Sequence, residues 1–184
     1  MPAYSFYTPN INNDGHSTNV SFAGTWLDGF FSSYLANATF MQNALVLVTF
    51  DETKYYAERN RIWSCLIGGV IPPNLRGTTD DTFYTHYSAL RTIELNWDLG
   101  SLNRGDANTT LSNVFQFAAV ALNYTNVNVT DIPLMNYTVT GLLTGNSWNN
   151  TNPPNTSRAS NVSRLSAAAA LSTVVTIMII SYLF

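Results

Sequence analysis

The chain has 184 residues and a formal net charge of −3, from 8 Lys and Arg against 11 Asp and Glu. Charged residues make up 10% of the sequence and aromatic residues 13%, which excludes a basic nucleic-acid-binding surface and a highly charged, disordered chain. The length is sufficient for one domain with a hydrophobic core. Every charged residue lies within residues 1–164, so residues 165–184 form a region of different character.

The first part of the chain alternates between strand-like and helix-like patterns. Residues 3–8 carry alternating aromatic side chains and predict a strand, which a turn-rich loop over residues 10–16 follows. Apolar residues then recur at helical spacing over residues 22–34, with Ser21 as the predicted N-cap. Residues 44–50 form a continuous apolar run rich in β-branched side chains, which is typical of a buried parallel strand.

The alternation continues further along the chain. A second apolar run over residues 62–67 ends at a Gly-Gly pair, and a helix is predicted from Thr82 with Asp81 as its cap. A shorter helix is predicted over residues 111–120, and a weak strand over residues 126–144. Strands that alternate with helices favour an α/β domain with a mostly parallel sheet.

Composition divides the chain into three parts. A folded domain covers residues 1–145, an Asn/Ser/Thr/Pro-rich linker covers residues 146–164, and a hydrophobic segment covers residues 165–184. The last segment is long enough to span a bilayer as a helix. It also has the character of a glycosylphosphatidylinositol (GPI) signal, because Asn155-Thr156-Ser157 provide small residues for a cleavage site upstream of it. The pattern favours the GPI signal over the transmembrane helix.

Asparagine-linked glycosylation motifs favour a secretory route, and they predict a glycoprotein at the cell surface or cell wall. Nine N-x-[ST] sequons start at Asn19, Asn37, Asn108, Asn123, Asn128, Asn136, Asn149, Asn155 and Asn161. The first residues, by contrast, have no apolar signal sequence, and Cys65 is the single cysteine. We therefore expect this chain to be the C-terminal part of a longer protein.

Two polar clusters follow predicted strands, at the positions where open α/β sheets bind ligands. Asp51 and Glu52 follow the apolar strand, and adjacent carboxylates suit a divalent cation, although acidic residues also end many strands by turning into solvent. His16 follows the first predicted strand, and a histidine can bind phosphate or protonate a leaving oxygen. Asp14 lies two residues before His16 and is placed to orient its ring. His86 lies near the start of the predicted helix, where backbone N–H groups favour anions. A purely structural role is the alternative for both histidines.

The order of these motifs resembles the phosphoesterase family, and within it most closely the secreted, GPI-anchored acid phosphatases of fungi. The resemblance covers roughly residues 1–120. The matching segments are Thr8-Pro9-Asn10, Asn13-Asp14-Gly15-His16, Ala23-Gly24-Thr25-Trp26, Val48-Thr49-Phe50-Asp51-Glu52-Thr53, Asn60-Arg61-Ile62, Gly77-Thr78-Thr79-Asp80, Thr85-His86-Tyr87-Ser88, Thr92-Ile93-Glu94 and Leu99-Gly100-Ser101-Leu102.

This resemblance implies an alkaline-phosphatase-like fold and hydrolysis of phosphate monoesters by a hydroxyl nucleophile beside a divalent metal ion of unknown identity. It implies Asp51 and Glu52 as metal ligands and His16 near the phosphate and the leaving group, while the His-x-Ser stretch of the family matches at His86. The candidate catalytic residues are thus His16, Asp14 and His86.

The family places its nucleophile and first metal ligands in an N-terminal half that no segment of this chain matches. We therefore expect the isolated chain to have little or no phosphatase activity. The expected partners are a phosphomonoester substrate and a membrane, reached through the C-terminal tail or a lipid anchor. The alternative is a non-catalytic, glycosylated surface protein held by a GPI anchor or a C-terminal membrane helix. A third hypothesis is a tail-anchored membrane protein that faces the cytosol.

Overall fold

A computed structural model describes residues 3–52 and 60–132, together with the backbone of residues 139–140, 147–148 and 175–181. The strands are β1 (Tyr4–Tyr7), β2 (Ala44–Phe50), β3 (Ser64–Ile67), β4 (Val139–Thr140), β5 (Ser147–Trp148) and β6 (Val175–Ser181). The α-helices are α1 (Val20–Phe30), α2 (Ala38–Gln42), α3 (His86–Asn96) and α4 (Gln116–Ala119). A π-helical turn, Phe31–Leu35, continues α1, and short 3₁₀ turns occupy Pro73–Leu75 and Gly105–Ala107.

The main sheet has four strands in the order β1-β6-β2-β3, and each neighbouring pair is antiparallel. The expectation of a mostly parallel sheet is therefore wrong for these strands, whereas the mixed α/β character is confirmed. The predicted positions of β1 and β2 agree with the structure. Strands β4 and β5 form a separate antiparallel pair.

The parallel direction was predicted from the continuous apolar run of residues 44–50. Such a run indicates burial on both faces of the sheet, and burial on both faces does not depend on strand direction. Residues 44–49 of β2 are all buried, since helices cover both faces of the sheet. One core cluster contains Leu45, Leu47, Ala89, Ile93, Phe115 and Ala118. The other contains Ala23, Leu35, Val46 and Val48. Alternate residues of β2 thus enter opposite clusters, as the two-residue period of a strand requires.

The C-terminal apolar segment contains a strand where a helix was predicted. Residues 175–181 form β6, which pairs with β2 from Ala44↔Ser181 to Phe50↔Val175 and with β1 on its other side. The β-branched residues of this segment favour an extended backbone, and pairing satisfies its N–H and C=O groups on both edges. Across the described part of the chain, no helix is both long and apolar enough to cross a membrane. Apart from residues 147–148, which form β5, the predicted linker over residues 146–164 lies outside the described residues.

Several predicted helix boundaries also need correction. The N-cap of α1 is Asn19, whose side chain accepts a hydrogen bond from the backbone N of Phe22, and not Ser21. Helix α3 begins at His86 with Thr85 as its N-cap, and not at Thr82. The predicted helix over residues 111–120 contains only the short α4. The predicted strand over residues 126–144 contains β4 (Val139–Thr140), while residues 126–132 form no strand.

A close backbone contact determines where β3 ends. Gly68 has a φ of +144°, and a Cβ atom there would overlap the carbonyl oxygen of Ala44. The backbone N of Gly69 donates to the carbonyl oxygen of Met41 at 2.7 Å. Glycine is required at position 68 because only glycine adopts this conformation without steric cost. Cys65 lies on β3 as a half-buried free thiol.

Candidate active site

The strand directions place two predicted polar clusters at the same edge of the sheet. Strands β1 and β2 run in the same direction, because each is antiparallel to β6 between them. Tyr7 and Val48 are at the same level, since both pair with Ile177, and two strand spacings put their backbones about 10 Å apart. The loop after β1 and the acidic pair after β2 therefore leave the sheet on the same side.

The acidic pair lies directly at the end of β2. Asp51 and Glu52 are both half-buried. The backbone N of Glu52 donates to Oδ1 of Asp51 at 2.8 Å. This hydrogen bond between neighbouring residues holds the Asp51 carboxylate against the backbone at the end of the strand, where Glu52 is the next residue.

The loop after β1 is organised by its own polar side chains. Asp14 is only 4% exposed, and its Oδ1 accepts a hydrogen bond from the backbone N of His16 at 2.8 Å. The side chain of Asn10 likewise accepts from the backbone N of Asn13 at 3.0 Å. The imidazole of His16 is half-buried, and its Nδ1 lies 3.3 Å from the Ser17 hydroxyl. Asp14 therefore shapes the loop backbone that carries His16, and its described bond does not reach the ring.

His86 joins the start of α3 to the end of β2. Its Nε2 lies 2.7 Å from the backbone carbonyl oxygen of Asp51. A carbonyl oxygen only accepts hydrogen bonds, so Nε2 of this exposed imidazole carries the proton and donates. His86 is thus brought to the same edge as the acidic pair and contacts its backbone directly.

The position of His86 depends on the N-cap of α3. The Thr85 hydroxyl accepts a hydrogen bond from the backbone N of Tyr87 at 3.1 Å and donates to the carbonyl oxygen of Leu111 at 2.6 Å. The backbone N of Thr85 donates to the Ser88 hydroxyl at 3.0 Å, which completes a capping box. The sequence interpretation missed this role of Thr85, although hydroxyl residues at positions 85 and 88 were a signal for it.

Arg91 lies further along α3 and forms an ion pair. Its Nη1 is 3.1 Å from Oε2 of the buried Glu94 and 3.4 Å from the carbonyl oxygen of Gly100. Arg91 is thus a partner for Glu94. The other carboxylate oxygen of Glu94, Oε1, is buried and has no hydrogen-bond partner among the described residues.

The donor atoms of the acidic pair suit a divalent cation, but the pair alone does not complete a metal site. Hard cations take six or more oxygen ligands, and proteins bind them through carboxylates, carbonyls and water. Within residues 3–52 and 60–132, no three His, Cys, Asp or Glu side chains form a group that could hold a metal ion. Asp51 and Glu52 thus have the chemistry of metal ligands without the full set.

Comparisons with known proteins identify the family. Residues 1–100 match the model of the phosphoesterase family. The chain is 48% identical over 143 residues to a probable acid phosphatase of Kluyveromyces lactis, which covers 78% of this chain and 33% of that protein. It is 46% identical over 129 residues to an acid phosphatase of Aspergillus niger, covering 70% of this chain and 30% of the relative.

A bacterial protein shows a more distant similarity. A phosphatidylinositol-3-phosphatase of Mycobacterium tuberculosis is 35% identical over 94 residues, which is 51% of this chain and 29% of that protein. The chain spans about a third of the length of these curated relatives. No solved structure matches it. The family model and the fungal relatives confirm the resemblance inferred from the motifs: this chain belongs to the phosphoesterase family.

Proposed function

We propose that this chain supplies one edge of a site that hydrolyses phosphate monoesters. The carrying observation is the common sheet edge at which the His16 loop, the Asp51–Glu52 pair and His86 lie. Relatives named acid phosphatase, at 46–48% identity, support this reaction class. Because the chain spans about a third of their length, we propose that further groups of the site come from outside it.

Each residue of this edge has a distinct proposed role. Asp51 and Glu52 hold a divalent cation, which when bound neutralises phosphoryl oxygens and activates a hydroxyl nucleophile. His16 donates a proton to the leaving oxygen, because imidazole is a general acid suited to mildly acidic conditions. Asp14 supports that role through the loop backbone. His86 fixes the end of β2 by donating from Nε2 to the Asp51 carbonyl oxygen.

Metal binding tests the role of the acidic pair without relying on turnover. The full chain is titrated with Mn²⁺, and the unbound ion is measured by electron paramagnetic resonance. We expect Asp51→Asn and Glu52→Gln each to weaken Mn²⁺ binding about tenfold or more, because each removes a charged oxygen ligand. Asp81→Asn, which changes an exposed carboxylate outside this edge, is the matched control. Equal weakening by Asp81→Asn, or no Mn²⁺ binding by the native chain, would contradict this role.

Hydrolysis of p-nitrophenyl phosphate at acid pH tests the need for outside groups. We expect little turnover by the full chain with Mn²⁺ present, because the described residues do not complete a metal site. Turnover that disappears in the Asp51→Ala variant would show instead that the chain contains a complete site.

The second candidate function is a non-catalytic, glycosylated surface protein. It is favoured by the five sequon asparagines within residues 3–52 and 60–132, all of which are exposed: Asn19, Asn37, Asn108, Asn123 and Asn128. Cell-surface or cell-wall localisation through a GPI anchor belongs to this proposal as much as to the enzymatic one. Mn²⁺ binding that is weakened by Asp51→Asn and not by Asp81→Asn would favour the enzyme over this alternative.

A further inference from the structure

Helix α1 and its π-helical turn carry an aromatic stripe that is partly open to solvent. Phe22, Trp26, Phe30 and Tyr34 recur every fourth residue, which places them along one side of the helix. Tyr7, the last residue of β1, extends this stripe. Together these five residues are called the aromatic face. Phe22 is 48% exposed and Tyr34 is 70% exposed.

The rings of the aromatic face are ordered against one another. Ring centroids are 5.1 Å apart for Tyr7 and Phe30, 5.2 Å for Trp26 and Phe30, and 5.2 Å for Phe30 and Tyr34. These separations are typical of favourable aromatic pairs. A preorganised set of exposed aromatic rings loses little conformational entropy on binding, which is a property of interaction surfaces.

The core beneath α1 contains residues of the same helix and its continuation. Ala23 and Leu35 are buried in the cluster that contains Val46 and Val48 of β2. Trp26 and Phe30 of the aromatic face pack against this cluster with part of their surface, whereas Phe22 and Tyr34 remain largely exposed. Residues 20–42 contain a single charged residue, Asp28, and no Lys or Arg. An anionic lipid surface would favour basic residues beside the apolar ones, so the composition favours a polypeptide partner.

We propose that the aromatic face docks the part of a phosphoesterase domain that lies beyond the matched segment in the longer relatives. The Kluyveromyces lactis relative is matched over only 33% of its length, so most of such a domain is available as this partner. The proposal rests on the proposed function and extends it. It names the surface that binds the polypeptide carrying the remaining groups of the site.

The location of the aromatic face fits this role. Helix α1 packs on β2, and the end of β2 carries Asp51 and Glu52. Tyr7 leaves the sheet at the same edge as that acidic pair, because β1 and β2 run in the same direction. A polypeptide seated on the aromatic face is therefore beside an acidic pair that lacks a complete ligand set within the described residues.

The test combines the full chain with a second polypeptide, the part of the Kluyveromyces lactis relative outside the matched segment. Association is measured by analytical ultracentrifugation and isothermal titration calorimetry. We expect a one-to-one complex that Phe22→Ser with Tyr34→Ser weakens about tenfold or more, since exposed aromatic anchors dominate such interfaces. Leu99→Ser with Leu102→Ser is the control, because these side chains are 64% and 65% exposed elsewhere on the molecule. Circular dichroism verifies that all chains are folded.

Several results would overturn the docking proposal. These are no association between folded chains, equal weakening by the control pair, or binding through Phe22 and Tyr34 to phosphatidylserine vesicles in place of the polypeptide. Phosphomonoester turnover by the mixture separates this proposal from the proposed function. A complex that depends on the aromatic face but has no turnover keeps the docking and refutes the phosphatase. Turnover that is unchanged by Phe22→Ser with Tyr34→Ser refutes the docking and keeps the phosphatase.

Discussion

Asp106 accepts hydrogen bonds from three groups of the loop that follows α3. They are the Ser101 hydroxyl at 2.5 Å and the backbone N atoms of Leu102 and Arg104 at 2.9 Å and 2.8 Å. The hydroxyl bond is the main reason that the pKa of Asp106 falls from 3.8 to about 2; burial acts in the opposite direction, and the bonds from the backbone N atoms lower the pKa further. The carboxylate thus holds this loop in its ionised form.

This pKa predicts a specific loss of stability in acid. A carboxyl group whose pKa is lowered by folding stabilises the folded state above its unfolded pKa and loses that contribution as the pH falls through the folded pKa. We expect the stability difference between the native chain and Asp106→Asn to be complete at about pH 5 and to shrink between about pH 4 and pH 2. Urea unfolding followed by circular dichroism at several pH values measures it.

A second variant identifies the cause of this acid sensitivity. Ser101→Ala removes the largest contribution to the low pKa, so the pH at which Asp106 stops stabilising the fold should move upward. A stability difference for Asp106→Asn that stays constant from about pH 5 to pH 2 would be inconsistent with the low pKa.

At the residue scale, the sequence identified the chemistry of the site better than its contacts. Asp51 and Glu52 were predictable because an apolar strand stops abruptly at two carboxylates. The hydrogen bond from the His16 backbone N to Asp14 was not predictable. An aspartate two positions before a histidine can accept a hydrogen bond from either the histidine ring or its main chain. The bond between His86 and the Asp51 carbonyl oxygen joins residues that are 35 positions apart, and no local pattern reports it.

At the scale of elements, the start of α3 depends on one hydroxyl group. Thr85→Ala removes the acceptor for the Tyr87 backbone N and the donor to the Leu111 carbonyl oxygen. We expect this change to lower the free energy of unfolding by about 1–2 kcal/mol. Thr85→Ser retains the hydroxyl and should recover most of that loss. Chemical denaturation with circular dichroism as the signal measures both variants.

The matched control is Thr79→Ala, which changes an exposed threonine in the preceding loop and should alter stability by less than about 0.5 kcal/mol. An effect of Thr85→Ala no larger than that of Thr79→Ala would show that the capping box contributes nothing. Because His86 is the next residue, the same cap also positions the imidazole at the end of β2.

The N-cap of α3 could not be predicted from the sequence, because two candidate residues were present. Asp81 and Thr85 are both residue types that cap helices well, so local propensity does not separate them. The structure selects Thr85, whose hydroxyl also bonds to Leu111, 26 residues away. Strand β2, by contrast, was predictable to the residue because its apolar run is bounded by polar residues on both sides.

At the scale of the whole molecule, exposed sequons predict glycosylation in a secreting host. Asn19 and Asn37 cap α1 and α2 through Oδ1, whereas a glycan attaches to the side-chain nitrogen, so both roles are compatible. In a glycosylating host we expect a mobility shift that peptide N-glycosidase F removes. Ser21→Ala and Thr39→Ala should reduce the shift because they destroy the two sequons and retain the capping asparagines.

Ser33→Ala, which alters an exposed residue outside any sequon, should leave the shift unchanged. A secreted chain with no enzyme-sensitive shift would contradict this prediction and remove the main support for the surface-protein alternative.

Strand order was beyond the sequence because it depends on pairing between distant segments. The apolar character of residues 175–181 is equally compatible with a membrane helix, a removed signal and a strand. The strand forms because β1 and β2 each offer unpaired backbone groups to it, and these partners are far away in the sequence. The two polar loops nevertheless lie at the same edge, as a parallel sheet would also place them, because one antiparallel strand between β1 and β2 leaves their directions the same.

The central place of β6 links the fate of the C-terminal tail to the geometry of the candidate site. In the described sheet, β1 is attached to the rest of the strands only through β6. Cleavage of the tail, or its transfer into a lipid bilayer, would therefore remove the strand pairing that aligns β1 and the His16 loop with Asp51 and Glu52, and would leave β1 with its side-chain contacts to α1. Anchoring the chain and keeping this edge assembled thus compete for the same seven residues.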